Sequence, residues 1–179
     1  DGIDLVVFEE FGAGEEALHL TEQVERNKLF ADPAYRRRFR KEYDKRFGPR
    51  VWHRDLHDAQ IVSAPDASLN GRSFGEVADE RGEHPVDTFL DLVMAHGTAL
   101  RWRTTIANHR SEKLDEIVAH PTVQVGFADS GAHIRNMAFY NFPLFFLRSV
   151  KRAQEAGKPI MSLERAVHRV TGEIADWLG

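Results

Sequence analysis

Apolar residues recur at helical spacing over much of the chain. Between Gly14 and about Ala31, the positions Ala17, Leu18, Val24, Leu29 and Phe30 suggest one buried helix face, and Glu15 and Glu16 suit a helix N-terminus. Asp32-Pro33 reads as an N-cap followed by proline at the first helical position, opening a helix from Ala34 to about Phe47 that Gly48-Pro49 stops. Ser73 with Glu76 three residues later is a capping-box pattern, predicting a short helix to Arg81 closed by Gly82. Pro85 opens another, with Val86, Phe89, Leu90 and Val93 on one face and Gly97 at its end.

Extended patterns are fewer. Leu5 to Phe8 reads as a short strand, and Val51 to Ser63 as extended chain before a loop through Asn70-Gly71. Leu100 to Ala107 is a strand candidate carrying Thr104, Thr105 and Ile106, and Thr122 to Phe127 is a β-branched run suited to a buried strand. A helix capped by Ser111 that includes Leu114, Ile117 and Val118 and ends before Pro121, and helices at Phe142 to about Glu155 and Ser162 to Val170, alternate with these strands. Strand, helix, strand, helix implies parallel pairing, with chemistry at the strand C-termini, here Asn108-His109 and Asp129-Ser130-Gly131.

Composition narrows the class only a little. The 179 residues are 42% hydrophobic and 29% charged, with a formal charge of -4, which speaks against a general nucleic-acid binder. No cysteine is present, so disulfides and thiolate metal sites are excluded within the chain. No apolar run approaches the roughly 20 residues of a membrane helix, and no signal-peptide pattern opens the chain; a cytoplasmic location is expected. Asp1 without a preceding Met, and the close on Trp177-Leu178-Gly179, suggest an excerpt of a longer protein.

Three clusters invite chemistry. Arg36-Arg37-Arg38 with Arg40 and Lys41 reads either as a phosphate site or, because Glu42 and Asp44 sit among the bases, as a solvated helix face. His53 and His57, at i and i+4, could bind metal on a helix, but in extended chain they would lie about 13 Å apart. The third is Val123 to His133, where glycines at 126 and 131 flank Asp129 and let the backbone turn tightly. Asp129 reads either as a functional acid at a strand end or as a cap of the next turn. Ser130 fits no nucleophile elbow, since Ala128 and Ala132 stand where glycines are needed.

The stretch Gly126-Phe-Ala-Asp129-Ser-Gly131-Ala-His133 resembles the Gly-x-x-Asp-x-Gly-Ala-His segment of the metal-dependent amidohydrolases that include D-aminoacylases and N-acyl-D-amino-acid deacylases. Gly71 to Ala78 with Pro85 to Leu92, and Ser162 to Gly172 with Ala175, are similar to two further stretches of that family. The resemblance implies an α/β fold: residues 99–179 as the last two β/α units of a (β/α)8 TIM-like barrel, residues 1–98 as a mainly helical insertion before them. It implies a hydrolase of a C–N amide bond, acting on an N-acyl amino acid with zinc or another divalent metal polarising the amide. Asp129 becomes the catalytic acid–base group and a conceivable metal ligand, while Asn108, His109, His133 and Arg135 become candidates for the substrate rim. The family's His-x-His ligand pair is absent, so the chain alone is expected to bind no metal tightly and to be inactive. The alternative is a non-catalytic piece, or an inactive homologue, with a binding or structural role. Self-association is a further expectation, because part of a barrel would leave apolar faces open.

Overall fold

The computed structural model describes residues 11–45, 47, 52–126 and 140–179. The chain divides into two units, residues 1–107 and 108–179. The strand expected at Leu5 to Phe8 lies outside the described residues.

The first unit runs α1 (Gly12–Leu18), α2 (Gln23–Ala31), α3 (Pro33–Asp44), β1 (Gln60–Ser63), α4 (Phe74–Arg81), α5 (Pro85–His96) and β2 (Arg101–Arg103). The single helix expected from Gly14 to Ala31 is two. Ala17 and Phe30 are both fully buried, yet on one continuous helix they would point about 140° apart at 3.6 residues per turn. A break at residues 19–22 lets both face the same core. Asp32 then caps α3 as its sequence suggests: its carboxylate accepts from the backbone N–H groups of Ala34 at 2.6 Å and Tyr35 at 2.9 Å. Those two donors hold its carboxyl below the usual range. One turn apart on α3, Tyr35 and Phe39 pack with Phe30 and Phe11. The Tyr35 hydroxyl donates to the Ala13 carbonyl at 2.7 Å, and burial pushes its pKa up.

Helices α4 and α5 follow the sequence closely. Ser73 Oγ accepts from the Glu76 N–H at 3.0 Å while the Glu76 carboxylate accepts from the Ser73 N–H at 2.7 Å, a complete capping box. Gly82 closes α4 at φ 67°, a left-handed conformation that costs a glycine little. His84 caps α5 through Nδ1, which accepts from the Val86 N–H at 3.2 Å, with Pro85 at the first turn. Val86, Phe89, Leu90 and Val93 are buried on one face of α5. Strands β1 and β2 pair antiparallel, with Gln60 opposite Arg103 and Ile61 opposite Trp102. Trp102 turns toward the helices and meets Phe74 and Phe89 edge-on, at centroid distances of 5.8 and 5.6 Å.

The second unit contains α6 (Ser111–Ala119), α7 (Phe142–Glu155), α8 (Leu163–Arg169) and α9 (Gly172–Leu178). Phe146 and Val150, one turn apart on α7, bury against Ala166 of α8, with Val118, Val125, Leu147, Met161 and Val170 at the margin. Ser162 caps α8 by accepting from the Arg165 N–H at 3.1 Å. Arg169, 1% exposed, reaches back from the end of α8 to donate to the carbonyls of His120 and Val123.

These observations correct the expected fold class. Among the described residues the sheet is a single open pair of short antiparallel strands, not the parallel end of a closed (β/α)8 barrel. Two features replace the strands that the β-branched runs suggested. After Arg103, side chains rather than a neighbouring strand engage the chain: Trp52 Nε1 donates to Thr104 Oγ1 at 2.9 Å, and the Thr105 N–H donates to Asp58 at 3.3 Å. At 122–126 there is no strand, and the Arg169 guanidinium occupies the Val123 carbonyl that a strand partner would need.

Candidate binding cleft

A cleft of about 400 Å3 lies beside the β1–β2 pair. His57, Asp58, Gln60, Gly71, Ser73 and Glu76 line one side and Arg103, Thr104 and Thr105 the other. The antiparallel register creates it by setting Arg103 directly opposite Gln60. Gln60 Oε1 accepts from Arg103 Nε at 3.0 Å and from one terminal nitrogen at 2.6 Å, while Gln60 Nε2 donates to the Gly71 carbonyl at 2.8 Å. One edge of the guanidinium is thereby fixed, and its remaining terminal nitrogen has no bond to the described residues. The Asp58 carboxylate accepts from the Thr105 N–H and pairs with His53 Nε2 at 3.4 Å, tying the loop before β1 to the chain after β2.

His57 sits in the cleft wall between two carboxylates. Its Nε2 lies 3.1 Å from Asp79 and its Nδ1 3.4 Å from Asp55, whose carboxylate also accepts from the His57 N–H at 2.8 Å. The ring rests on α4 where a glycine makes room: a Cβ built on Gly75 would lie 2.2 Å from His57 Cγ. Alanine normally gains up to about 1 kcal/mol over glycine within a helix, and less in the first turn, where Gly75 stands. Here Gly75→Ala is expected to destabilise the protein, because the ring must leave its seat. In a His57→Ala background the same change should stabilise it by up to about 1 kcal/mol. Urea unfolding of the four proteins checks this, and equal effects in both backgrounds would refute the packing.

The candidates read from sequence fare unevenly. Asp129, His133 and Arg135 lie outside the described residues. Asn108 and His109 are exposed in the loop after β2, Asn108 with a left-handed φ of 61° that asparagine tolerates, and neither lines the cleft. His53 and His57 pair with different carboxylates, and among the described residues no group of three His, Cys, Asp or Glu could hold a metal ion. Three of the five basic residues of the α3 run have acidic partners. Arg36 pairs with Asp87 and Asp91, Arg38 with Glu16, and Arg40 with Asp87, so these three guanidiniums already have carboxylate partners within the chain.

The amidohydrolase reading is overturned on two counts. The described residues form a helical structure with one open strand pair where the resemblance implies a barrel, and they contain no metal-ligand cluster on which metal-dependent amide hydrolysis could rest. The short motifs that carried the resemblance are compatible with other structures: two of them mark helices here, α4 with α5 and α8 with α9, through their caps and apolar spacing. The residues lining the cleft were not legible as a group. Gln60 and Arg103 are 43 positions apart and meet through strand register alone. The local signals were the Gly71 turn and the Ser73–Glu76 box, which mark one wall.

No protein-family profile matches the chain, and no solved structure matches it. Two proteins named only as uncharacterized, one from Mycobacterium tuberculosis and one from Mycobacterium bovis, are each 58% identical to it over 181 residues that take in the whole of this chain. The chain spans 30% of the length of these relatives. Among the described residues no helix is long and apolar enough to cross a membrane.

Proposed function

We propose that this chain has a binding role, holding a small polar solute in the cleft between the Gly71–Glu76 wall and Arg103–Thr105. The observation that carries the reading is the half-engaged guanidinium of Arg103, fixed along one edge by Gln60 and facing a cleft of about 400 Å3. That volume lies within the roughly 300–1,000 Å3 of small-molecule sites. Those sites are mostly apolar, whereas this lining is rich in hydroxyl, carboxylate and amide groups, which favours a hydrated ligand held by hydrogen bonds over a greasy one. The Arg103 terminal nitrogen that has no bond to the described residues suits a carboxylate. The Thr104 and Thr105 hydroxyls offer both donors and acceptors for an amide or hydroxyl on the same ligand. An N-acyl amino acid has that combination. The lack of cysteine suits a reducing cytoplasm.

Titration calorimetry with N-acetylated amino acids tests the reading. Charge-assisted hydrogen bonds contribute about 1.5–3 kcal/mol, so Arg103→Ala is expected to weaken binding by roughly 10- to 150-fold. Arg101→Ala, at the other end of β2, should leave affinity unchanged. Equal affinity of the Arg103→Ala and unaltered proteins, or no binding by either, would contradict the reading.

A further inference from the structure

The second unit, among its described residues, exposes more large apolar side chains than it buries. Among its described residues only Phe146, Val150 and Ala166 are buried apolar side chains. Leu144 and Phe145 on α7 are 69% and 48% exposed, and Ile117, Leu163, Val167 and Trp177 are exposed as well. Leu163 and Val167 are one helical turn apart, so they form an outward stripe on α8. The Arg148 guanidinium lies 4.1 Å from the Phe145 ring centroid and screens part of it, a contact worth little at an exposed site. Scattered apolar residues on a protein surface need no explanation, but adjacent helices that each present an apolar pair do. Three buried side chains give the described part of this unit little core of its own.

We propose that the outward faces of α7 and α8 are seated against further polypeptide, corresponding to the part of the M. tuberculosis relative that lies outside the matched stretch. The relative matches this chain along its whole length at 58% identity, and more than two thirds of the relative lies beyond the match. A covering segment is therefore available within one polypeptide, where docking pays no translational entropy. A second copy of this chain would have to meet that cost in full. The proposal is independent of the cleft in the first unit.

The test compares two proteins by covalent surface labelling and mass spectrometry. One is the 179-residue chain; the other is the full-length M. tuberculosis relative with its matched stretch replaced by this chain. Interface cores pack as densely as protein interiors, so labelling of Leu144, Phe145, Leu163 and Val167 is expected to fall about fivefold or more in the full-length protein. Unchanged labelling there would overturn the proposal. So would protection already present in the isolated chain that is lost on dilution or with Leu144→Asp, because the occupant would then be a second copy.

Discussion

Replacing Phe74 by alanine is expected to lower the unfolding free energy of the first unit by about 3–5 kcal/mol. The Phe74 side chain is fully buried, its ring centroid is 4.9 Å from Phe89 and 5.8 Å from Trp102, and those two rings lie 5.6 Å from each other. Removing one member leaves a cavity bordered by two rigid rings that cannot collapse into it. Edge-to-face pairs add about 0.5–1.5 kcal/mol beyond the buried area, and Phe74 takes part in two of the three. Typical domains are stable by only about 5–15 kcal/mol, so the loss should be visible as a large fall in the urea midpoint. Val24→Ala, at an exposed position of α2, should change it by less than about 0.5 kcal/mol. The consequence reaches the cleft, because Trp102 immediately precedes Arg103 and follows Arg101 on β2. Loosening the trio should therefore weaken binding even at temperatures where the unit remains folded. A Phe74→Ala protein with an unchanged midpoint would show that these rings do not form the core.

The second large effect belongs to Arg169. Its guanidinium is buried, donates to the His120 carbonyl at 3.0 Å and to the Val123 carbonyl, and lies 3.8 Å from Glu173. Arg169→Ala would leave the Val123 carbonyl without its side-chain donor, leave the His120 carbonyl with the Val123 N–H alone, and deprive Glu173 of one of its cations, although Arg165 at 2.6 Å remains. Breaking a buried charged network by removing one partner costs roughly 3–5 kcal/mol. That corresponds to a loss of more than about 100-fold in hydrogen-exchange protection for the amides of α8, if they exchange by opening of the whole unit. Lysine at 169 should recover only part of this, since its single ammonium lacks the planar fork that spans two carbonyls. Protection in α8 that is unchanged by Arg169→Ala would remove the clamp from this account.

Both residues show where the sequence is readable and where it is not. Local chemistry was legible. The Asp32, Ser73 and Ser162 caps, the Gly82 stop and the Pro85 start all act within four residues of themselves, and each stands where the pattern puts it. Contacts between distant residues were not legible, and they decided the architecture. Thr104, Thr105 and Val123 have the β-branched character of strand residues, a preference that depends on which neighbours they meet. Here the neighbours are Trp52, Asp58 and Arg169, so the runs at 100–107 and 122–126 do not become parallel strands. The break between α1 and α2 has the same origin, since the need to bury both Ala17 and Phe30 overrides a continuous helical pattern. The cleft depends on the pairing of Gln60 with Arg103, which nothing near either residue announces.

The most direct test of the binding role is an amide chemical-shift titration of the isotope-labelled chain with an N-acetylated amino acid. Changes are expected to centre on Gly71, Ser73, Thr104 and Thr105, to saturate as for a single site, and to disappear in Arg103→Ala while that protein keeps its native spectrum. Shifts that never saturate, that centre away from these residues, or that persist without the Arg103 side chain would contradict the assignment of this cleft as the binding site.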